Sequence, residues 1–511
     1  MEESNLLEHD EAPPAAPSSS SSSSPSSSYA PPSSGGGSGG ISGDGSGDVA
    51  AANPFPARRR SSSYVPAASV KGVVFNLMNA VIGVGVLAMP FCFKRAGWLF
   101  APLLLLLVGG LTERSLSLMV RAGDILRDGD GEKGIAGGAQ LTAIGYSATV
   151  ARCYGPRWGN VTDMFIVVMN FGSAVAYMDV IADILGAWGA NKVTGLLLVV
   201  AFIIGPLSCI REIENLKFTS LLGLSIYATF GLIVIVLFFV GVNCAGEKGI
   251  PAASADLLVA VPIQTLAFAC HTVVFPVYRE FKEAPGASSE SFQFALRLTI
   301  GACLTMYVLV GFFGALTFGD NTLGDVLKNY SSEGGGLAHF IEAIFAFSIC
   351  MTYPLLVFPM RDSLDLLIMK TKCAAGAARS RGWSSEQFGK VRFFGLTVLL
   401  IALAFLVAVL IPDVEVVFGL TGCTFGIVIC FLLPALMFLR ASGEDTGLKT
   451  FETGPDGGEW QRDRKTAIGV LVVGSLMGFA SLIMTLASLG AEVEDQNESG
   501  LCNSTPPVVL R

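Results

Sequence analysis

The segment 79-NAVIGVGVLAMP-90 sets two glycines, Gly83 and Gly85, and a proline, Pro90, inside the apolar run Val73–Phe93. A second run, Leu257–Tyr278, carries Pro262 and Pro276 on either side of a polar Cys270-His271-Thr272. Neither run suits an uninterrupted helix, because proline removes a backbone donor and glycine costs about 1 kcal/mol relative to alanine. Backbone freed inside an apolar medium needs another partner. The N–H groups around Val84 to Leu87, which would open the second half of the first run, carry partial positive charge and suit a carboxylate; the carbonyls closing its first half suit an ammonium group or a cation. The two breaks together therefore fit a small zwitterion. Ile82, Gly83, Val84, Gly85 and Val86 would form one wall of such a site, and Phe268, Ala269, His271 and Thr272 the other.

An ionisable group within an apolar run is a functional candidate by default. His271 has three roles open to it: recognising a ligand, titrating during proton coupling, or sitting neutral in a hydrogen-bond network. Asp179 lies deep in the run Val161–Trp188, with Asn170, Tyr177 and Asp183 on the same segment. Glu342 falls near a run's end, where an interfacial position is expected. Glu113 and Arg114 adjoin at another end and are expected to snorkel.

These residues must be positioned by membrane helices. The chain has 511 residues, 52% of them hydrophobic and 14% charged, with mean hydropathy +0.60, whereas soluble domains carry about 25% charged residues. Eleven apolar runs approach the ~20 residues needed to cross a bilayer: Val73–Phe93, Trp98–Val120, Val161–Trp188, Val193–Ile210, Phe218–Val242, Leu257–Tyr278, Phe294–Phe318, Phe340–Met360, Phe393–Ile411, Val414–Leu439 and Ala467–Leu489. The N-terminus is acidic and serine-rich without an early apolar core, so insertion is expected to rely on the first span.

Placing the N-terminus in the cytosol puts 27 of the 33 Lys and Arg residues on the cytosolic side, leaving Lys94, Arg95, Lys192, Lys248, Lys328 and Arg511 outside. That asymmetry is the expected one. Three N-x-S/T sequons, at Asn329, Asn497 and Asn503, then fall outside as glycan acceptors must; a fourth, at Asn160, abuts a span. Cysteines sit mostly within or beside spans as small apolar filler. Cys244 and Cys502 lie in outer segments, where a disulfide between them is open to test. His9, His271 and His339 are too dispersed for a metal cluster, and no cofactor is expected.

Residues 1–68 form a low-complexity tail, with the serine run Ser18 to Ser24 and a glycine-rich patch, Gly35 to Gly40. Such composition cannot bury enough apolar surface to fold, so the tail is expected to be disordered and cytosolic. Arg58-Arg59-Arg60-Ser61-Ser62-Ser63 offers phosphorylation sites within it. Residues 69–490 form the membrane domain and 491–511 a short extracytosolic tail. The two interrupted runs lie five spans apart, which points to an inverted repeat of five plus five spans and one extra. Gly83 and Gly85 taken alone would equally serve close helix packing; the pairing favours a discontinuous site.

Four motifs carry a family resemblance. Phe75 to Leu87, reading FNLMNAVIGVGVL, resembles the first span of the amino acid/auxin permease family. Leu266-Ala267-Phe268-Ala269-Cys270-His271-Thr272 with Phe275-Pro276-Val277-Tyr278 resembles its sixth span. Met351-Thr352-Tyr353-Pro354 through Arg361 resembles the eighth, and Phe418-Gly419-Leu420-Thr421-Gly422 through Ala435 the tenth. The match runs from about residue 69 to 490 and is nearest the sodium-coupled neutral amino acid transporters and their plant vacuolar relatives.

The resemblance implies an all-α membrane protein with a LeuT-like 5+5 inverted repeat, eleven transmembrane helices, and helices one and six broken. It implies secondary active transport of neutral amino acids by alternating access, coupled to Na+ or H+. Asn79 and Thr352 match positions associated with a sodium site, and oxygen ligands suit such a hard cation; Thr352 bonding its own helix backbone is the alternative. Some proton-coupled relatives of the fold place a lysine from span five there instead, and Phe218–Val242 contains none. Span three lines the substrate path in this fold, which brings in Asp179.

Rival functions are a proton-coupled permease for auxin or another organic acid, and an amino acid sensor signalling through the tail. No nucleotide-binding, zinc-protease or nucleophile-elbow motif marks an enzyme, and no filter marks a channel. Net charge of -8 with loop-bound basic residues gives no nucleic-acid surface. A monomer is expected, in a vacuolar, lysosomal or plasma membrane. Glu2-Glu3-Ser4-Asn5-Leu6-Leu7 resembles an acidic dileucine sorting signal for the first two.

Overall fold

The computed structural model describes residues 69–132, 145–209, 217–241, 249–254, 256–284, 286–332, 336–369, 385–411, 414–443 and 457–502, all of which fall in one compact unit. The tail 1–68, its dileucine and phosphorylation motifs, and Cys244 of the suggested disulfide lie outside these residues.

Every regular element described is helical. The first span opens at Ser69, whose side chain accepts from the Gly72 N–H and caps α1 (Val70–Val81). A 3-10 turn, Val84–Ala88, leads into α2 (Met89–Ala96), and the two parts of this span bend by 58°. There follow α3 (Phe100–Glu132), α4 (Tyr146–Tyr154), α5 (Pro156–Ala187), α6 (Lys192–Ser208), α7 (Lys217–Val240), α8 (Leu257–Ala267) and α9 (His271–Lys282). The remainder are α10 (Ser289–Phe318), α11 (Val326–Ser332), α12 (Gly336–Met369), α13 (Ser385–Leu410), α14 (Val414–Ala441) and α15 (Gly457–Cys502).

Among the described residues nine helices are long and apolar enough to cross a membrane, and ten if the bent pair counts as one span. The remaining apolar run forms α6, only 17 residues long, with π-helical turns at Val200–Ile204.

Burial separates central from peripheral spans. The Leu257–Lys282 span buries 72% of its apolar window, against 33% for each of Gly223–Val240, Gly389–Leu410 and Glu459–Ser488. The outward side chains of the peripheral helices are themselves apolar, Phe202, Phe239 and Phe479 among them, which is the surface a hydrocarbon solvent requires. Helices approach one another at the centre through glycines. Gly172 of α5 meets the Thr421 side chain, and Gly422 of α14 rests on the Pro262 carbonyl of α8. At Gly422 α14 also widens, with π-helical turns at Gly422–Gly426 and Val428–Leu432.

Asn329 is not presented as an open sequon: it is buried on α11, where its amide oxygen accepts from the Leu323 N–H at 2.9 Å and its nitrogen donates to the Asn321 carbonyl at 2.8 Å. Glu342, expected near a span's end, is buried within the protein, where Trp188 Nε1 donates to it at 2.7 Å and Ser331 and His339 also hold it. Glu113 and Arg114 do pair with one another, at 3.2 Å, with the arginine mostly exposed.

Candidate functional site

α1 ends where the Ile82 N–H closes onto the Met78 carbonyl at 2.7 Å; Gly83 then leaves the helix, and the Val86 N–H returns to the Gly83 carbonyl at 3.3 Å. Both glycines are needed for space. The Tyr177 hydroxyl of α5 occupies the position a Gly83 side chain would take, and faces the Val84 backbone and the Thr352 side chain. A Cβ on Gly85 would stand 2.9 Å from the Ala267 Cβ and 3.1 Å from its Cα. The break in the first span and the end of α8 thus touch directly.

The second break is an interruption rather than a kink. α8 closes with Phe268 N–H to the Gln264 carbonyl (3.2 Å) and Ala269 N–H to the Leu266 carbonyl (3.0 Å); residues 268–270 are not helical, and α9 begins at His271. Leu257–Lys282 nevertheless reads as one span without the sharp bend of the first.

Tyr307, from the middle of α10, ties the two breaks together. Its hydroxyl lies 3.0 Å from the Val81 carbonyl and 2.9 Å from the Ala267 carbonyl, so one proton serves the last carbonyl before each break. Its ring packs edge-on against Phe268, centroids 5.1 Å apart. Sequence reasoning missed this residue, though a tyrosine in mid-membrane signals that its hydroxyl has a partner there.

Ile82, Gly83, Val84, Gly85, Val86, Phe268, Ala269, His271 and Thr272 therefore lie along two touching breaks. Val84 and Val86 to Met89 are wholly buried, and Ala269 and Thr272 partly so. His271 is fully buried. Ser115 donates to the Cys430 carbonyl, which leaves its oxygen to accept from His271 Nε2 at 3.1 Å; Nδ1 has no hydrogen-bond partner. Asp179 is buried on α5, but two residues on from Tyr177 turns it roughly 200° around the helix. It shares the face of Asp183, not that of the break.

Gln264, one turn before the second break, is a further residue that sequence reasoning passed over. It is fully buried, and neither its amide nitrogen nor its oxygen has a partner. An unsatisfied buried amide costs about 1–3 kcal/mol. Gln264→Leu, close in volume, is expected to raise the melting temperature of the detergent-purified protein while lowering uptake at least tenfold. Equal uptake by the variant would make the amide a passive core residue.

Asn79 and Ser348 are brought together where α7 presents a glycine, with Thr352 one turn beyond Ser348. The Asn79 Oδ1 and Ser348 Oγ each lie 3.5 Å from the point where a Gly223 Cβ would stand. Thr352 bonds its own helix backbone, the alternative to a ligand role: its hydroxyl donates to the Ser348 carbonyl at 2.9 Å and lies 3.2 Å from that of Ile349, leaving its oxygen lone pairs to accept. The Tyr227 hydroxyl, one turn beyond Gly223, faces Ser348 and Thr352. The donors are neutral oxygens on three spans. Such a set fits a monovalent hard cation, and no cluster of His, Cys, Asp or Glu fit for a metal occurs among the described residues.

Residues 72–93 carry no charged side chain, and 257–278 only His271. Between them these two segments offer a ligand main-chain dipoles and neutral polar groups. A many-spanning helical membrane protein with touching helix interruptions at its centre has the build expected of a transporter. The family of transmembrane amino acid transporter proteins matches residues 66–453, and the chain belongs to it. Solute carrier family 38 member 10 of Mus musculus is 29% identical over 385 residues, 72% of this chain and 33% of that one. This chain thus spans about a third of that relative's length. Amino acid transporter AVT6E of Arabidopsis thaliana is 26% identical over 412 residues, 75% of this chain and 78% of the relative. A solved manganese transporter of Eremococcus coleocola is a distant likeness, at 9% identity and a TM-score of 0.41 over 82% of this chain and 96% of its own.

Proposed function

We propose that the chain is a secondary active carrier of neutral amino acids, built as a LeuT-like 5+5 inverted repeat with α6 as its short fourth span and eleven spans in all. The observation that carries this reading is the abutment of Gly85 on Ala267, which sets two helix interruptions side by side in a charge-free, buried centre. Within the 3-10 turn the Val86 N–H returns to Gly83 and the Val84 N–H faces Tyr177, so the Gly85 N–H would take the substrate carboxylate. The Val81 and Ala267 carbonyls each keep a lone pair beyond the one facing Tyr307 and would take its ammonium. With no countercharge at hand, a charged substrate side chain would be costly to desolvate. Since Val84 and Val86–Met89 are sealed from solvent, loading requires movement on one side and release movement on the other.

Sodium is the coupling ion proposed, at Asn79, Ser348 and Thr352. The orientation proposed has the N-terminus in the cytosol, from the Lys and Arg partition, in a vacuolar, lysosomal or plasma membrane. Uptake of labelled glutamine or alanine into liposomes holding the purified full chain, under imposed sodium and pH gradients, tests the whole reading. Flux is expected to follow the sodium gradient and to stop when choline replaces sodium at fixed pH. Thr352→Val and Asn79→Ala should each raise the half-saturating sodium concentration about tenfold, the value of one ligand worth ~1.4 kcal/mol. Flux that follows only the pH gradient would move the reading to proton coupling, and no flux under either gradient would overturn it.

A further inference from the structure

The loop that joins α10 to α12 carries the short helix α11, which packs on α5 and on the 3-10 turn Val84–Ala88. It lies over the break in the first span. Lys94, in the last turn of α2, donates to the Thr322 carbonyl at 3.0 Å and so ties this loop to the second half of that span. On another side, the Glu415 carboxylate at the start of α14 fills the space beside Gly324, where any side chain would collide with it.

The acids around this helix are unevenly matched. Asp183, at the end of α5, is buried and takes Lys192 on one oxygen and Lys328 on the other, both at 2.8 Å. Asp325 is also buried. Its Oδ1 accepts the Leu327 N–H at 2.9 Å and caps α11, while its Oδ2 has no hydrogen-bond partner. Both acids border a cavity of about 360 Å³, which Lys192, Lys328 and Ser331 also line. The charged groups facing Asp325 are therefore Asp183, Glu415, Lys328 and Lys192. Lys94 and Asp320 lie beyond Glu415, and Glu342 with His339 meets the far end of α11 through Ser331.

We propose that α11 is a proton-latched lid: the Asp325 carboxyl holds a proton while α11 lies shut over the first break, and releases it to water when α11 lifts. On the orientation proposed above the proton comes from the extracytosolic compartment, so acid there holds the entrance closed. A proton on Oδ2 removes a buried charge beside Asp183 and Glu415 and supplies a donor where the oxygen has no partner. Burial, with Asp183 and Glu415 adding to it, pushes the closed-state carboxyl up to about 7 against the Leu327 N–H and Lys328. An aspartate facing water sits near 3.9. The closed lid therefore binds the proton more tightly. Its advantage is complete below about pH 4 and is lost roughly tenfold per unit as pH rises to about 7.

Hydrogen exchange of the full chain in lipid nanodiscs, read on peptides covering 322–332 between pH 4.5 and 7.5 and corrected for intrinsic rates, tests this. Opening of α11 in the wild type is expected to grow about tenfold per pH unit and then level off. Asp325→Asn should flatten the profile, and Glu415→Gln, which removes a negative neighbour, should move the midpoint to lower pH. A flat wild-type profile, a slope that survives in Asp325→Asn, or a midpoint unmoved by Glu415→Gln would each overturn the lid. The wild type and Glu415→Gln decide the matter should Asp325→Asn fail to fold. The readout needs no transport, so its failure in a chain that still carries amino acid removes the lid and leaves the carrier.

Discussion

Gly85→Ala is expected to reduce uptake by two orders of magnitude or more, and the second change Ala267→Gly to restore a large part of it. The added methyl would stand 2.9 Å from the Ala267 Cβ and 3.1 Å from its Cα, and that Cα is main chain that cannot turn aside. Overpacking of this kind costs about 1–3 kcal/mol, and here the cost falls on the register of the two breaks. Each tenfold in rate corresponds to about 1.4 kcal/mol, so the upper part of that range accounts for the loss. Removing the Ala267 methyl relieves the nearest clash but not the one against the main chain behind it, so recovery should be large but incomplete. Initial uptake rates normalised to folded protein decide it. Wild-type rates in the single variant would mean that the two breaks separate in the working protein.

Tyr307→Phe should lower apparent substrate affinity about tenfold while leaving the fold intact. The ring still packs on Phe268, and only the hydroxyl that serves the Val81 and Ala267 carbonyls is lost. Two buried carbonyls then lack their partner at a cost of about 1–3 kcal/mol, and the first half of each span gains freedom at the point where substrate is to be gripped. The expected signature is a raised KM for uptake together with a modest fall in melting temperature. A lowered melting temperature with unchanged KM would make Tyr307 a packing residue alone.

The first interruption was suggested by Gly83, Gly85 and Pro90 standing together, whereas at the second Pro262 and Pro276 sit inside α8 and α9 and only the polar Cys270-His271-Thr272 adjoins the gap. Their shapes were not legible in the sequence. The first span bends by 58° while the second is only interrupted over 268–270, since bending depends on what packs against each half. Asn79 and Thr352 were named by resemblance alone; that Ser348 and Gly223 stand beside Asn79 depends on three helices meeting in space. Tyr307 and Gln264 stood in plain view as polar residues in apolar runs, yet their weight lies in what they touch or fail to touch. Asp179 misled for the same reason: depth in a span is legible from position, whereas the side of the helix it faces needs the neighbours. Asn329 shows the converse, an acceptor motif whose side chain the fold has already used.

The seat of Gly422 on the Pro262 carbonyl has a mechanical consequence. No side chain cushions that junction, so rocking of the first half of the interrupted span bears straight on its neighbour. That neighbour stores slack, because the wide rings at Gly422–Gly426 and Val428–Leu432 each hold one residue more than an ordinary turn. Tightening one ring would shorten the loop by a residue and swivel everything beyond it by about 100°, with the backbone bonds exchanged rather than lost.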